Sequence, residues 1–335
     1  LDDGVIFQAQ DLVKYFELQR SASETLMRKS PKQVHAVDHV SLSIKKGEVM
    51  GLIGESGSGK TTFGWLAARL IMPTSGKIFF EEREIGSLQG QELRKWRSNV
   101  QIVFQDPITS LDPRIKVWKI IAEPLLAAGV KDKEELLSKI RDVIREVGLP
   151  ENSMYLFPHE FSGGGRQRIS LARALVLNPK MIVLDEPTSA LDVAVQAQIL
   201  NRLVELQRER NLTYLFISHN IGAVRYISDS VAIMYLGKIM EQGNVKEVLE
   251  RPLHPYTKAL LVSTPVPDPS RRKFHFKIEG EIPTLISPPP GCRFAGRCPF
   301  VRERCRTEEP MLRDVGGSHL VACHYAEELE GKSIS

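Results

Sequence analysis

The stretch Gly54-Glu55-Ser56-Gly57-Ser58-Gly59-Lys60-Thr61-Thr62 constrains this chain more than any other part of it. It matches GxxxxGK[ST], follows the short apolar run 49–53, and precedes a segment, Thr61 to Ile71, that reads as a helix stopped by Pro73 and Gly76. Strand, glycine loop and helix make one βα unit of a parallel sheet. Glycines let the backbone turn so that several N–H groups point inward, and the helix adds its positive N-terminal end, so the loop suits a phosphate group. In that frame Lys60 is expected to reach the β/γ-phosphates of a nucleotide, and the Thr61 hydroxyl to ligate Mg2+.

A second βα unit supplies the matching half. The apolar run Met181-Ile182-Val183-Leu184 ends in Asp185-Glu186. A buried strand ending this way puts Asp185 at the sheet's C-terminal edge, where it can hold Mg2+ through water. Glu186 suits the orientation and deprotonation of an attacking water. The following helix is expected over 193–208, with Val195, Ile199, Leu203 and Leu206 on one face. Residues 214–217 and 231–234 read as further buried strands, 117–126 and 133–147 as helices, and the alternating stretches 5–7 and 40–44 as half-buried strands. The polar stretch 19–33 lacks any period and reads as an exposed loop.

Between the two units stands Phe161-Ser162-Gly163-Gly164-Gly165-Arg166-Gln167-Arg168, which resembles the LSGGQ signature of ATP-binding-cassette (ABC) ATPases. The family's other elements follow in order. Gln105 matches the Q-loop, Ser189-Ala190-Leu191-Asp192 the D-loop, and His219 the switch histidine. Phe16 matches the aromatic on which adenine stacks, with Tyr15 beside it as the alternative. The resemblance implies an α/β P-loop NTPase fold over residues 1–252, with a RecA-like core, an antiparallel β subdomain and a helical subdomain at about 107–178. It further implies two cassettes sandwiching two ATPs. The 54–62 loop would bind one ATP with Gln105. Ser162, Gly163 and Gly164, just ahead of a helix starting near Arg166, would meet the partner's. Thr61, Gln105 and Asp185 would serve Mg2+, and Glu186 and His219 catalysis. Gly165 stands where the family has Gln, so Gly165→Gln is expected to raise turnover; Phe161 in place of Leu keeps an apolar anchor.

The remaining residues narrow the class. With 45 Lys plus Arg against 41 Asp plus Glu, the charge of +4 over 335 residues argues for no nucleic-acid partner. No stretch approaches the ~18 consecutive apolar residues of a membrane span, and the start does not read as a signal peptide. After about Pro252, prolines mark an irregular linker into a C-terminal extension over 253–335. The segments 251–261 and 288–299 resemble the region after the ATPase core in oligopeptide/dipeptide importers, and the 19–33 insertion resembles that of their second ATPase subunit. This implies a subunit peripheral to the cytoplasmic face of the cell membrane. Its expected partners are a sister ATPase (a homodimer being the alternative), two transmembrane permease subunits and an extracytoplasmic solute-binding protein. Peptide is the expected cargo and oligosaccharide the alternative. A soluble repair or translation ATPase is disfavoured by the lack of a long coiled coil or second cassette, and a non-hydrolysing cassette by the presence of Glu186 and His219.

All four cysteines, Cys292, Cys298, Cys305 and Cys323, fall in the extension, spaced C-x5-C-x6-C-x17-C. Four thiolates suit Zn2+ or an iron–sulfur cluster. The absence of close C-x2–4-C knuckles, Pro299 after Cys298 and the nearby arginines favour a 4Fe-4S cluster over zinc, plain thiols or disulfides. Lying far in sequence from the nucleotide motifs, it is expected to be structural or redox-sensing.

Overall fold

The computed structural model describes residues 4–18, 31–263, 284–286 and 288–332. Most of the 19–33 stretch and most of the proline-rich linker lie outside the described residues.

Two sheets organise the chain. The first joins β1 (Val5–Glu17), β2 (Gln33–Lys45), β4 (Ser75–Phe80) and β5 (Arg83–Glu84) in the antiparallel order β2-β1-β4-β5. The second holds β3 (Val49–Ile53), β6 (Val100–Val103), β7 (Met181–Asp185), β8 (Thr213–Ser218), β9 (Ser230–Tyr235), β10 (Lys238–Asn244), β11 (Arg313–Asp314) and β12 (Leu320–Val321). Its order is β11-β12-β10-β9-β3-β8-β7-β6, parallel from β9 through β6 and antiparallel beyond. Every residue of β3, β7 and β8 is buried, as expected of strands covered on both faces. The central strand β3 has parallel neighbours on both sides, so the loop leaving its C-terminal end opens between theirs.

Three differences from the sequence expectation have local causes. β1 and β2 run well beyond 5–7 and 40–44, because register shifts such as that between Ala9 and Leu12 break the period-2 pattern. The helix after the glycine loop is Lys60–Ala67, ending before Ile71. Arg69 turns left-handed at φ 50°, and its guanidinium donates to the carbonyls of Ile85, Gly86 and Leu88. The signature helix is Gly163–Leu175, beginning ahead of Arg166 because the Ser162 hydroxyl accepts from Gly165 N at 3.3 Å and caps it there.

The helices Val117–Ala127, Lys133–Glu146 and Gly163–Leu175 pack together between β6 and β7, where the helical subdomain is expected. The extension shares the ATPase core and sheet. Cys292, Phe294 and Cys305 belong to the same hydrophobic cluster as β3, β8 and the signature helix, and β12 pairs with β10.

Candidate functional site

The glycine loop closes on backbone too tightly for other residues. Gly59 sits at φ 104°, and a Cβ on it would lie 2.0 Å from the Ala36 carbonyl oxygen. Ser56 and Gly57 are exposed at the loop's tip, while Ser58 and Lys60 are buried. Lys60 Nζ donates to the carbonyls of Gly54 and Glu55, each at 2.8 Å. Burial pushes its ammonium below the ordinary lysine range, and the charges of Glu186, Asp185 and Glu55 pull the other way. The Thr61 hydroxyl donates to Asp185 Oδ1 at 3.1 Å, with Thr62 half-buried beside it. Burial lifts Asp185 to about 6 against that hydrogen bond.

Three adjacent parallel strands deliver the rest. Gln105 follows β6, Asp185 and Glu186 end β7, and His219 follows β8. Gln105 Nε2 donates to Glu186 Oε2 at 2.9 Å, and His219 Nδ1 stands 3.0 Å from Glu186 Oε1. Glu186 turns left-handed at φ 46° with its N–H on the Ile217 carbonyl, and Ser189 Oγ donates to its carbonyl at 3.1 Å. Lys60, Thr61, Gln105, Asp185, Glu186 and His219 therefore gather at one sheet edge. Such a set can hold a metal-bound triphosphate against a carboxylate-oriented water.

The two aromatics of the first strand separate cleanly. Tyr15 stacks on His35 at 3.9 Å between centroids and donates its hydroxyl to Asp38, whereas Phe16 is exposed, with Lys14 Nζ 5.0 Å above its ring. Phe16 is the aromatic free to stack on a base.

The signature faces elsewhere. Gly163 and Gly164 lie against Leu191 and Val195, where a Cβ would meet side-chain carbons at 3.0 and 2.5 Å. Asp192 caps the next helix by accepting from Val195 N at 3.0 Å. Among the described residues, no hydrogen bond joins 162–164 to 54–62.

The four cysteines are free thiols, and all four line one small cavity of about 20 Å3 with His254, Phe294 and Tyr325. Burial, with the neighbouring thiols adding to it, pushes Cys292 up to about 11 and Cys298 up to about 12, and burial also raises Cys323. Several thiolates at that spot need a cation to exist. Among the described residues, no group of three or more His, Cys, Asp or Glu stands where it could hold a metal ion.

Comparison with known proteins places this geometry. Residues 37–189 match the ABC transporter family, and residues 240–305 match the family described as oligopeptide/dipeptide transporter, C-terminal region. The chain is 46% identical to the oligopeptide transport ATP-binding protein AppF of Bacillus subtilis, over 95% of this chain and 97% of that protein. It belongs to the ABC-transporter ATPases of the oligopeptide/dipeptide type. The di/tripeptide transport ATP-binding protein DppF of Pseudomonas aeruginosa is 43% identical over 97% of this chain and 99% of that one. Among solved structures, the ATP-binding cassette MJ0796 in a post-hydrolysis dimer bound to ADP and Pi aligns with TM-score 0.63 and 26% identity, covering 72% of this chain and 99% of that one. The chain is thus an ABC-type ATPase, with the P-loop α/β fold expected of it.

Sequence reasoning on this ABC ATPase missed the residues that tie the extension to the glycine loop. Arg297, next to Cys298, forks onto the Glu55 carboxylate at 2.7 and 3.2 Å, and Glu55 N donates to the Tyr256 hydroxyl at 2.9 Å. Arg293, next to Cys292, pairs with buried Asp38. The cysteine segment, remote in sequence from the nucleotide motifs, packs directly on one of them. The only available signal lay in the arginines flanking Cys292 and Cys298.

Proposed function

We propose that this chain hydrolyses ATP to drive import of oligopeptides or dipeptides through a membrane ABC transporter, closing with a sister ATPase around two ATPs. The observation that carries the reading is Glu186, held between Gln105 and His219 beside Lys60, Thr61 and Asp185. In this scheme Lys60 leaves the Gly54 and Glu55 carbonyls for the β/γ-phosphates, which also meet backbone amides of the glycine loop. Thr61 and Asp185, with Gln105, would hold Mg2+, which would supply positive charge to the phosphates. Glu186 takes a proton from the attacking water, and His219 bridges it to the γ-phosphate. Phe16 stacks on adenine. Ser162, Gly163 and Gly164, at a capped helix N-terminus, complete the partner's γ-phosphate site, so turnover requires dimerisation.

Two permease subunits and an extracytoplasmic solute-binding protein complete the transporter. Among the described residues, no helix is long and apolar enough to cross a membrane, which suits a subunit peripheral to the cytoplasmic face. Peptide cargo is supported by the names of the AppF and DppF relatives, an oligopeptide and a di/tripeptide transport ATP-binding protein. In vesicles carrying the assembled transporter, labelled peptide should accumulate only with ATP, and Glu186→Gln should abolish it. Uptake displaced by oligosaccharides and not by peptides overturns the cargo.

On the same reading Cys292, Cys298, Cys305 and Cys323 hold a 4Fe-4S cluster, which would supply a cross-link and a redox-sensitive centre. Support comes from four free thiols lining one cavity, a donor set of the kind such a cluster takes. Anaerobically purified protein should be brown, with about four iron and four sulfide per chain. Colourless protein with one zinc rejects it.

A further inference from the structure

Glu55 is the second residue of the glycine loop, and each of its polar groups is engaged. Its carbonyl accepts from Lys60 Nζ at 2.8 Å and from Ser58 N at 3.2 Å, its N–H donates to Tyr256 Oη, and its carboxylate takes the Arg297 fork. Two of these four holds come from the C-terminal extension. Tyr256 is completely buried against Tyr235 and Phe294, with ring centroids 4.5 and 5.4 Å away. Arg297 Nη1 also donates to Tyr235 Oη at 3.2 Å. Phe294 and Arg297 both lie in the turn between Cys292 and Cys298, so the turn that carries two thiols is wedged against the loop.

We infer that Arg297 and Tyr256 are positioning residues of the ATP site, fixing Glu55 and letting the cysteine module set nucleotide affinity. Two physical effects act together. Lys60 must exchange the Gly54 and Glu55 carbonyls for a phosphate; through that exchange Glu55 keeps the Ser58 N–H on its carbonyl at 3.2 Å, and the holds from the extension fix its amide and carboxylate. The Glu55 charge is also felt at Lys60 Nζ. With Arg297 present that carboxylate is neutralised and drawn away, whereas an unpaired carboxylate at the loop would repel a triphosphate. Arg297 and Tyr256 act on Glu55 and make no hydrogen bond to Glu186, Gln105 or His219, so the effect is expected on affinity rather than on the chemical step.

This rests on the ATP-site reading of residues 54–61. The test is steady-state ATPase activity of the assembled transporter together with equilibrium Mg-ATP binding. Arg297→Gln is expected to raise KM and Kd about 5- to 20-fold while kcat stays within about twofold. Tyr256→Phe should shift both the same way by a smaller factor. The neutral pair Glu55→Gln/Arg297→Gln should recover most of the lost affinity, because the stray carboxylate is gone; a purely structural role for Arg297 would not give that rescue. If Arg297→Gln fails to fold, Arg297→Lys keeps the charge, gives up the fork and should show a rise of about 2- to 5-fold. An unchanged KM, a fall confined to kcat, or losses that add in the double variant overturn the inference. Lys60→Ala in the same assay separates the two readings. Affinity lost there but unmoved by Arg297→Gln overturns the positioning role alone; affinity unmoved by Lys60→Ala overturns the ATP site beneath it.

Discussion

Phe161 packs against the bare Cα of Gly165: a Cβ on Gly165 would lie 3.0 Å from both Cβ and Cδ1 of Phe161. The two departures from the LSGGQ pattern are therefore one packing solution, in which the larger ring occupies room that the smaller residue leaves. Arg166 secures the same corner by donating to the carbonyls of Pro158 and Phe161.

That contact works against the gain expected from Gly165→Gln, because a Cβ there requires Phe161 to give by a few tenths of an ångström. Overpacking costs about 1–3 kcal/mol, more than the ~1 kcal/mol gained by removing a helical glycine. Gly165→Gln alone should lower both stability and the ATPase rate of the assembled complex. Phe161→Leu/Gly165→Gln replaces the ring by a smaller, more flexible side chain but keeps the Cβ contact, so it should restore them in part, with a coupling of about 1 kcal/mol in a double-mutant cycle. A single variant faster than the parent contradicts this.

Tyr15 and Phe16 should part in a binding experiment. Base stacking on an aromatic is worth about 1–3 kcal/mol, so Phe16→Ala should weaken ATP binding about tenfold or more with little change in unfolding midpoint. Tyr15→Phe removes the Asp38 hydrogen bond and should lower stability by about 1 kcal/mol while leaving ATP affinity alone. Isothermal titration and urea melts on both variants read the difference.

The Asp38–Arg293 pair, with side chains only 5% and 4% exposed, anchors the extension to the second strand. Removing one member of a buried pair costs about 3–5 kcal/mol, and Lys238, 3.4 Å from Asp38, trims this to the lower end. Arg293→Met should therefore destabilise by about 3 kcal/mol and open the extension to proteolysis. Intact resistance to protease at native temperature would dismiss the anchor.

His254 is fully buried, with Nδ1 accepting from Tyr256 N at 3.0 Å. Burial holds its imidazole down to about 4, against the pull of the Glu241 charge and the Ala322 carbonyl. The folded state keeps it neutral while the unfolded chain protonates near 6.5, so stability is full above that value. It drains away as the pH falls from 6.5 towards 4, by up to ~1.4 kcal/mol per pH unit. His254→Asn should flatten this limb in denaturation midpoints taken across that range.

The nucleotide half of the molecule was legible because its signals are local. A glycine loop between apolar strand and helix, and a strand ending in Asp185-Glu186, announce themselves within a few residues, and parallel pairing of β6, β7 and β8 does the rest. The long bulged strands β1 and β2 were under-read because bulges erase alternation. The docking of the extension was illegible for a different reason. It runs through single side-chain pairs, Arg297 with Glu55 at a separation of 242 residues and Arg293 with Asp38 at 255, and no periodicity records such a contact.

Equilibrium binding of ATP with and without Mg2+, to the parent chain and to Lys60→Ala, tests the central claim most directly. The parent should bind tightly only with Mg2+, and Lys60→Ala should lose about 100-fold or more of that affinity. Magnesium-independent binding by the parent, or Lys60→Ala binding as the parent does, would contradict the account.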